Sequence, residues 1–206
     1  MQYLLSCLIG YLLGSIPSAF IILKKAKGID ITTTGTGNVG AMNSYEVSNS
    51  KLLGIVVFII DFLKGGLSVI IVLYLVEYSF VLAGLSIVFA VFSHCFNPWL
   101  KFKGGRGLAT AAGGTAIVFP FLFVSWIVLW SLTYLIKKDI LIANILATLL
   151  SFIFTLLFYK QVIIYAYPQP ITVNELLLFT SSLLLIIFIK HIEPLKEIIS
   201  KNNIKL

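Results

Sequence analysis

The sequence predicts an all-α, polytopic helical membrane protein. It reads as one domain over residues 1–206, with about seven membrane-entering helices, two of them short pieces of a broken run. Three observations predict it. Hydrophobic residues make up 59% of the chain and charged residues 11%, with a mean hydropathy of +1.05. Soluble domains carry about 25% charged residues, so lipid is the solvent that suits this composition. Apolar runs recur at the length of about 20 residues that a bilayer core of ~30 Å requires. Basic residues fall between those runs, in four clusters.

The elements follow in order. Tyr3–Leu23 is the first span; it lacks a basic leader and a small-residue cleavage site, so it does not read as a signal peptide. Lys24–Lys51 is a polar loop rich in Gly, Thr, Ser and Asn. Leu52–Val76 is the second span, interrupted by Asp61 and Lys64. Phe80–Leu100 is the third, ending in His94, Asn97 and Pro98. Lys101–Gly107 is a short basic loop, and Leu108–Ile136 is one long apolar run containing Gly113, Gly114 and Pro120. Ile140–Tyr159 is a further span, followed by a loop with Pro168 and Pro170. Asn174–Ile189 is the last apolar run, and Lys190–Leu206 is a charged helical tail.

Charge decides how the long run is placed. The clusters are Lys24/Lys25/Lys27/Lys51, Lys101/Lys103/Arg106, Lys137/Lys138 and Lys190/Lys196/Lys201/Lys205. Basic loops stay on the cytoplasmic side. A single crossing by Leu108–Ile136 would put the last two clusters outside. The run gives about 43 Å of helix, short of two full spans. Two short helices broken near Gly113–Pro120, entering and returning, keep all four clusters inside. The N-terminus is then outside and the C-terminus cytoplasmic. The alternative is one tilted span with the tail outside.

The formal net charge of +7 is explained by this topology and by anionic headgroups, so no nucleic-acid partner is expected. Cys7 and Cys95 sit in apolar stretches without metal spacing and read as small core residues. Neither a metal nor a cofactor is expected, and the oligomeric state is left open.

Two loops carry chemistry. In ITTTGTGNVGAMN, Gly35, Gly37 and Gly40 match GxGxxG formally, but they follow a membrane helix rather than a strand, which excludes a dinucleotide fold. Flexible glycines still let backbone N–H groups turn toward an anion, and Thr36, Asn38 and Asn43 add hydrogen-bonding side chains. The other reading is an ordinary solvated loop. In KFKGGRG, Lys101, Lys103 and Arg106 join Gly104, Gly105 and Gly107 just before a helix start. Cations, bare amides and a helix N-terminus together favour phosphate. Asp61 and Lys64, at i and i+3, pair along one face, as part of a site or as a structural ion pair. His94 and His191 are candidate bases, unassigned between them.

GSIPSAFII, KGIDITTTGTGNVGAMN, IIDFLKG and SHCFNPWLKFKGGRGLAT, in that order and spacing, resemble the bacterial acyl-phosphate:glycerol-3-phosphate acyltransferases of the PlsY type. The resemblance runs from Gly14 to about Thr110; the later half matches by hydropathy and by KHIEPLKEII. The family's first motif, approximately SGNxGATNxxR, is met by Thr36, Gly37, Asn38, Gly40, Ala41 and Asn43, with Met42 for threonine and Glu46 for arginine. The second is met by His94, Phe96, Lys101, Lys103, Gly104, Gly105 and Gly107, with Arg106 for lysine. Of the third, approximately HRENI, His191 and Glu193 persist, and Pro194 stands for asparagine.

The resemblance implies a seven-helix enzyme of the bacterial plasma membrane with its active site on the cytoplasmic face. Its substrates would be acyl phosphate and glycerol 3-phosphate, its products lysophosphatidic acid and phosphate, and membrane lipids its surroundings. Thr36, Gly37, Asn38, Gly40, Asn43, Lys101, Lys103, Gly104, Gly105, Arg106 and Gly107 would bind substrate, with Asp61 and Lys64 in support. Glu46 and Pro194 motivate a second reading, a catalytically silent or acceptor-altered relative that binds a phosphorylated lipid or a partner.

Overall fold

The computed structural model describes the backbone of residues 1–203 and, within it, the side chains of all but 197–199 and 201–203. Lys205 and the side chain of Lys201 therefore lie outside the described residues. Every regular element is helical among them.

Helix α1 (Gln2–Gly14) and helix α2 (Ser18–Lys27) form the first span. It is longer than Tyr3–Leu23 and it is broken, because Pro17 supplies no N–H and the chain leaves helical geometry there. Lys24, Lys25 and Lys27 occupy the last turn of α2, and Gly28 ends it at φ 69°. The polar loop that follows is not all loop: Ala41–Ser48 form helix α3. Helix α4 (Lys51–Leu75) starts at Ser50, whose Oγ accepts from the Leu53 N–H at 3.4 Å. Helix α5 (Phe80–Cys95) runs into a 3₁₀ turn at Pro98–Leu100.

The long apolar run breaks as its charge pattern requires, but at Phe119. Gly113 and Gly114 lie inside helix α6 (Leu108–Val118), and Pro120 opens helix α7 (Pro120–Lys137). Only α6 is short; α7 reaches span length. Helix α8 (Ile140–Leu157) is capped by Asp139, which accepts from the Ile142 N–H at 2.9 Å. A short helix α9 (Tyr159–Val162) leads to the last helix, α10 (Val173–Asn203). The last apolar run and the tail are thus one helix, with Pro194 inside it. Proline has no N–H for the carbonyl four residues earlier, so Lys190 loses its usual helical donor.

Among the described residues, six segments are long and apolar enough to cross a membrane, and α6 adds a shorter one. Together they make the seven entries, and the protein is multi-pass.

Small residues let the central helices touch backbone to backbone, the packing that association in lipid favours. A Cβ on Gly10 or Gly14 of α1 would run into the carbonyls of Ser86 or Ala90 on α5; one on Gly65 or Gly113 would run into the carbonyls of Thr110 or Phe62 and push α4 and α6 apart. Ile87, Phe119, Leu176, Leu183 and Ile187 fill the core between α5, α6 and α10.

Helix α7 is held to α8 by two indoles. Trp126 Nε1 donates to Thr148 Oγ1 at 3.1 Å, and Trp130 Nε1 to Asn144 Oδ1 at 2.7 Å. Arg106, just before α6, and Lys138, just after α7, line one pocket. At the far end the Tyr167 N–H bonds the Val118 carbonyl at 2.7 Å. The α6–α7 pair therefore goes out and comes back.

Candidate active site

Three distant stretches meet on one face. The Val39 N–H donates to the Gly104 carbonyl at 3.2 Å, joining the first loop to the basic loop. Lys190 Nζ lies 5.0 Å from the centroid of the Phe96 ring, and a Cβ on Gly107 would sit 3.6 Å from Ile187. Those two contacts bring in the end of α10.

Each loop is held by its own residues. Asn43, 2% exposed, accepts from the Thr36 N–H at 3.1 Å and donates to the carbonyls of Thr34 and Asn38 at 3.1 and 2.9 Å. Its polar atoms are spent on shaping the loop. Asp30 accepts from Thr32 Oγ1 at 2.7 Å and from the Thr32 N–H at 3.0 Å. Those bonds, with the charges of Lys24 and Lys103, hold its carboxyl below the usual carboxylate range. The contribution of Asp30 to loop order is full at neutral pH and fades as acid protonates it.

Just before the basic loop, Asn97 Nδ2 and Trp99 Nε1 reach back to the break in the first span, donating to Ser15 O at 2.8 Å and Ser15 Oγ at 3.1 Å. The glycines are there for space. A Cβ on Gly104 would meet the carbonyls of His94 and Cys95; one on Gly105 would meet His94 Nε2. Gly107 takes φ 84° to start α6.

Asp61 and Lys64 pair at 2.8 Å, as their spacing predicts. They do not stand alone. Asp61 also accepts from Ser18 Oγ at 2.5 Å, and Lys64 Nζ meets His94 Nδ1 at 2.8 Å. His191 lies 1% exposed. Its Nδ1 is 2.8 Å from the Ile187 carbonyl, while its Nε2 is buried with no hydrogen-bond partner among the described residues. A carbonyl only accepts, so Nδ1 carries the proton and Nε2 keeps a lone pair.

A cavity of about 630 Å³ opens among these elements. Asn38, Gly40, Asp61, His94, Arg106 and Gly107 form its polar end, and Phe62, Phe123, Trp126, Trp130 and Leu183 are among its apolar walls. A polar outer pocket of about 330 Å³ adjoins it and shares Asn38, Met42, Arg106 and Ile140 with it. Thr36, Asn43, Glu46, Lys138 and Asp139 help line that pocket. Glu46 therefore lines the same pocket as Arg106, Lys138 and Asp139.

The predicted residues divide accordingly. Arg106 lines both spaces, whereas Lys101 and Lys103 are exposed and line neither. Gly37 turns the first loop at φ 69°. Lys138 and the two tryptophans were not singled out from the sequence as site residues. Trp126 and Trp130, one helical turn apart in an apolar run, were the available signal.

Known proteins share this fold. Residues 4–201 match the family model described as Glycerol-3-phosphate acyltransferase. A relative named glycerol-3-phosphate acyltransferase from Pelagibacter ubique is 33% identical over all of this chain and 98% of its own length. One from Bacillus subtilis is 32% identical over 97% of this chain and 95% of its own. A crystal structure of PlsY (YgiH), an integral membrane glycerol 3-phosphate acyltransferase in its glycerol 3-phosphate form, superposes with a TM-score of 0.79. It is 29% identical and covers 98% of this chain and 94% of its own. Its lysophosphatidic acid form superposes at 0.78. These matches favour an enzyme over a silent relative, and the chain belongs to the glycerol-3-phosphate acyltransferase family.

Proposed function

We propose that this acyltransferase moves a fatty acyl group from acyl phosphate to the 1-hydroxyl of glycerol 3-phosphate. The products are lysophosphatidic acid and phosphate. The observation that carries this reading is the joining of two unlike spaces at Arg106. The apolar cavity suits an acyl chain, and the polar pocket beside it suits a phosphorylated alcohol.

The donor is already activated, so no covalent enzyme intermediate is needed. The hydroxyl oxygen forms a bond to the acyl carbon, the bond from that carbon to the phosphate oxygen breaks, and phosphate leaves with the electron pair. The hydroxyl proton ends on the departing phosphate. No side chain is needed to carry it there, since His191 is buried and lines neither space. Arg106, which lines both spaces, stabilises the charge that builds on phosphate. Holding both substrates in register converts a bimolecular encounter into a local one.

The whole chain serves as one acyltransferase domain in a bacterial plasma membrane. Its basic loops lie on one face, which supports a cytoplasmic site, an outside N-terminus and a cytoplasmic C-terminus.

The test is reconstitution. Purified protein supplied with acyl phosphate and glycerol 3-phosphate is expected to release lysophosphatidic acid and phosphate in equal amounts. Folded protein that yields neither overturns the reading. A His191→Phe variant, close in volume, is expected to keep most of its kcat because His191 lines neither space; a loss of about 10²-fold in folded protein would make His191 the base.

A further inference from the structure

A buried ion pair inside a membrane helix loses much solvation and needs further partners to be worthwhile. Asp61 and Lys64 are 2% and 3% exposed. Lys64 Nζ has three neighbours: Asp61 Oδ1 at 2.8 Å, the Ile16 carbonyl at 3.1 Å and His94 Nδ1 at 2.8 Å. The Ile16 carbonyl is available because the first span breaks at Pro17.

An ammonium has three N–H donors and no acceptor. Its contact with His94 therefore requires a lone pair on Nδ1. Asp61 Oδ1 stands 3.7 Å from that nitrogen, beyond hydrogen-bond range, so no carboxylate draws a proton there. With Nδ1 unprotonated, the ring proton sits on Nε2. A doubly protonated ring would point an N–H at an ammonium and leave a buried, otherwise neutral trio with excess positive charge. Ser18, the first residue of α2, completes the arrangement by donating to Asp61 at 2.5 Å. His94 Nε2 lies against Gly105, and the ring lines the polar end of the cavity with Asn38 and Arg106.

We propose that Lys64 and Asp61 are positioning residues that lock His94 as a neutral Nε2–H donor, and that this N–H binds the acyl-phosphate oxygen that gains charge during transfer. The second half rests on the donor assigned under the proposed function. His94 then donates a hydrogen bond without giving up its proton, and it is not the base. The two histidines are set in opposite senses: His94 offers an N–H, while the free Nε2 of His191 offers a lone pair.

The test has two readouts. Nitrogen-15 NMR of histidine-labelled protein, without substrate, is simple because the chain has two histidines; the His191→Phe variant assigns them. His94 is expected to carry its proton on Nε2 alone and His191 on Nδ1 alone. In Lys64→Met the His94 pattern is expected to shift toward the other tautomer. Its kcat should fall about tenfold or more, with KM for glycerol 3-phosphate within about twofold. If that variant does not fold, Asp61→Leu with Lys64→Met removes both charges and leaves none orphaned. A proton on Nδ1 of His94 in the parent protein overturns the lock, as does a folded charge-removed variant with a kcat within about threefold of the parent. A parent chain that shows the expected tautomer but does not turn over acyl phosphate leaves the lock standing and sinks the donor assignment.

Discussion

Arg106→Ala is expected to lower kcat/KM by about 10²–10³-fold, the scale seen when a donor aimed at developing charge is removed. Arg106 is the cation that lines both the apolar cavity and the outer pocket, so under the proposed function it can hold phosphate on either substrate. Arg106→Lys keeps a positive charge there and should retain most activity; it loses only the bidentate geometry of guanidinium. Lys103→Ala should cost clearly less than Arg106→Ala. Its side chain is exposed, lines neither space, and acts on Asp30. Steady-state kinetics on the three variants checks the ranking. Equal losses at Lys103 and Arg106 would mean that the loop binds phosphate in another arrangement.

Gly113→Val is expected to destabilise the fold by about 3 kcal/mol or more, through overpacking that cannot relax. A Cβ at Gly113 would run into the carbonyl oxygen of Phe62, with the Phe62 carbonyl carbon at 2.7 Å and the Gly66 N at 3.1 Å. All three are backbone atoms of α4, so no side chain can swing aside. Gly66→Ala is the control. Its nearest neighbour would be the Gly113 carbonyl oxygen at 3.4 Å, an ordinary contact. Thermal melts in detergent read the difference. A Gly113→Val protein that melts with the parent would show that the α4–α6 crossing yields.

Much of the site was legible in the sequence, and the exceptions are instructive. The Asp61–Lys64 pair followed from helical spacing, but its meeting with His94 joins residues 30 positions apart. Lys101, Lys103 and Arg106 looked equivalent in one short loop. Their backbones differ: Lys101 and Phe102 take φ 53° and 61°, and only Arg106 ends up facing the cavity. Asn43 was expected to bind substrate on the strength of its amide, yet that amide is spent holding its own loop. The position of Glu46 was known, but the cations that share its pocket were not, because Lys138 belongs to a turn read only as a topology signal.

By itself the sequence determined the solvent, the number of membrane entries, the return of the α6–α7 pair and the two polar loops that meet on one face. Run length, charge and glycine spacing are local properties, and lipid enforces them strictly, since a buried backbone group or charge has no water to fall back on. The tertiary structure alone decided which side chains share atoms. The tautomer of His94, the free nitrogen of His191 and the facing of Arg106 depend on how closely helices cross. Those distances are set by small residues touching backbone, at positions far apart in the chain.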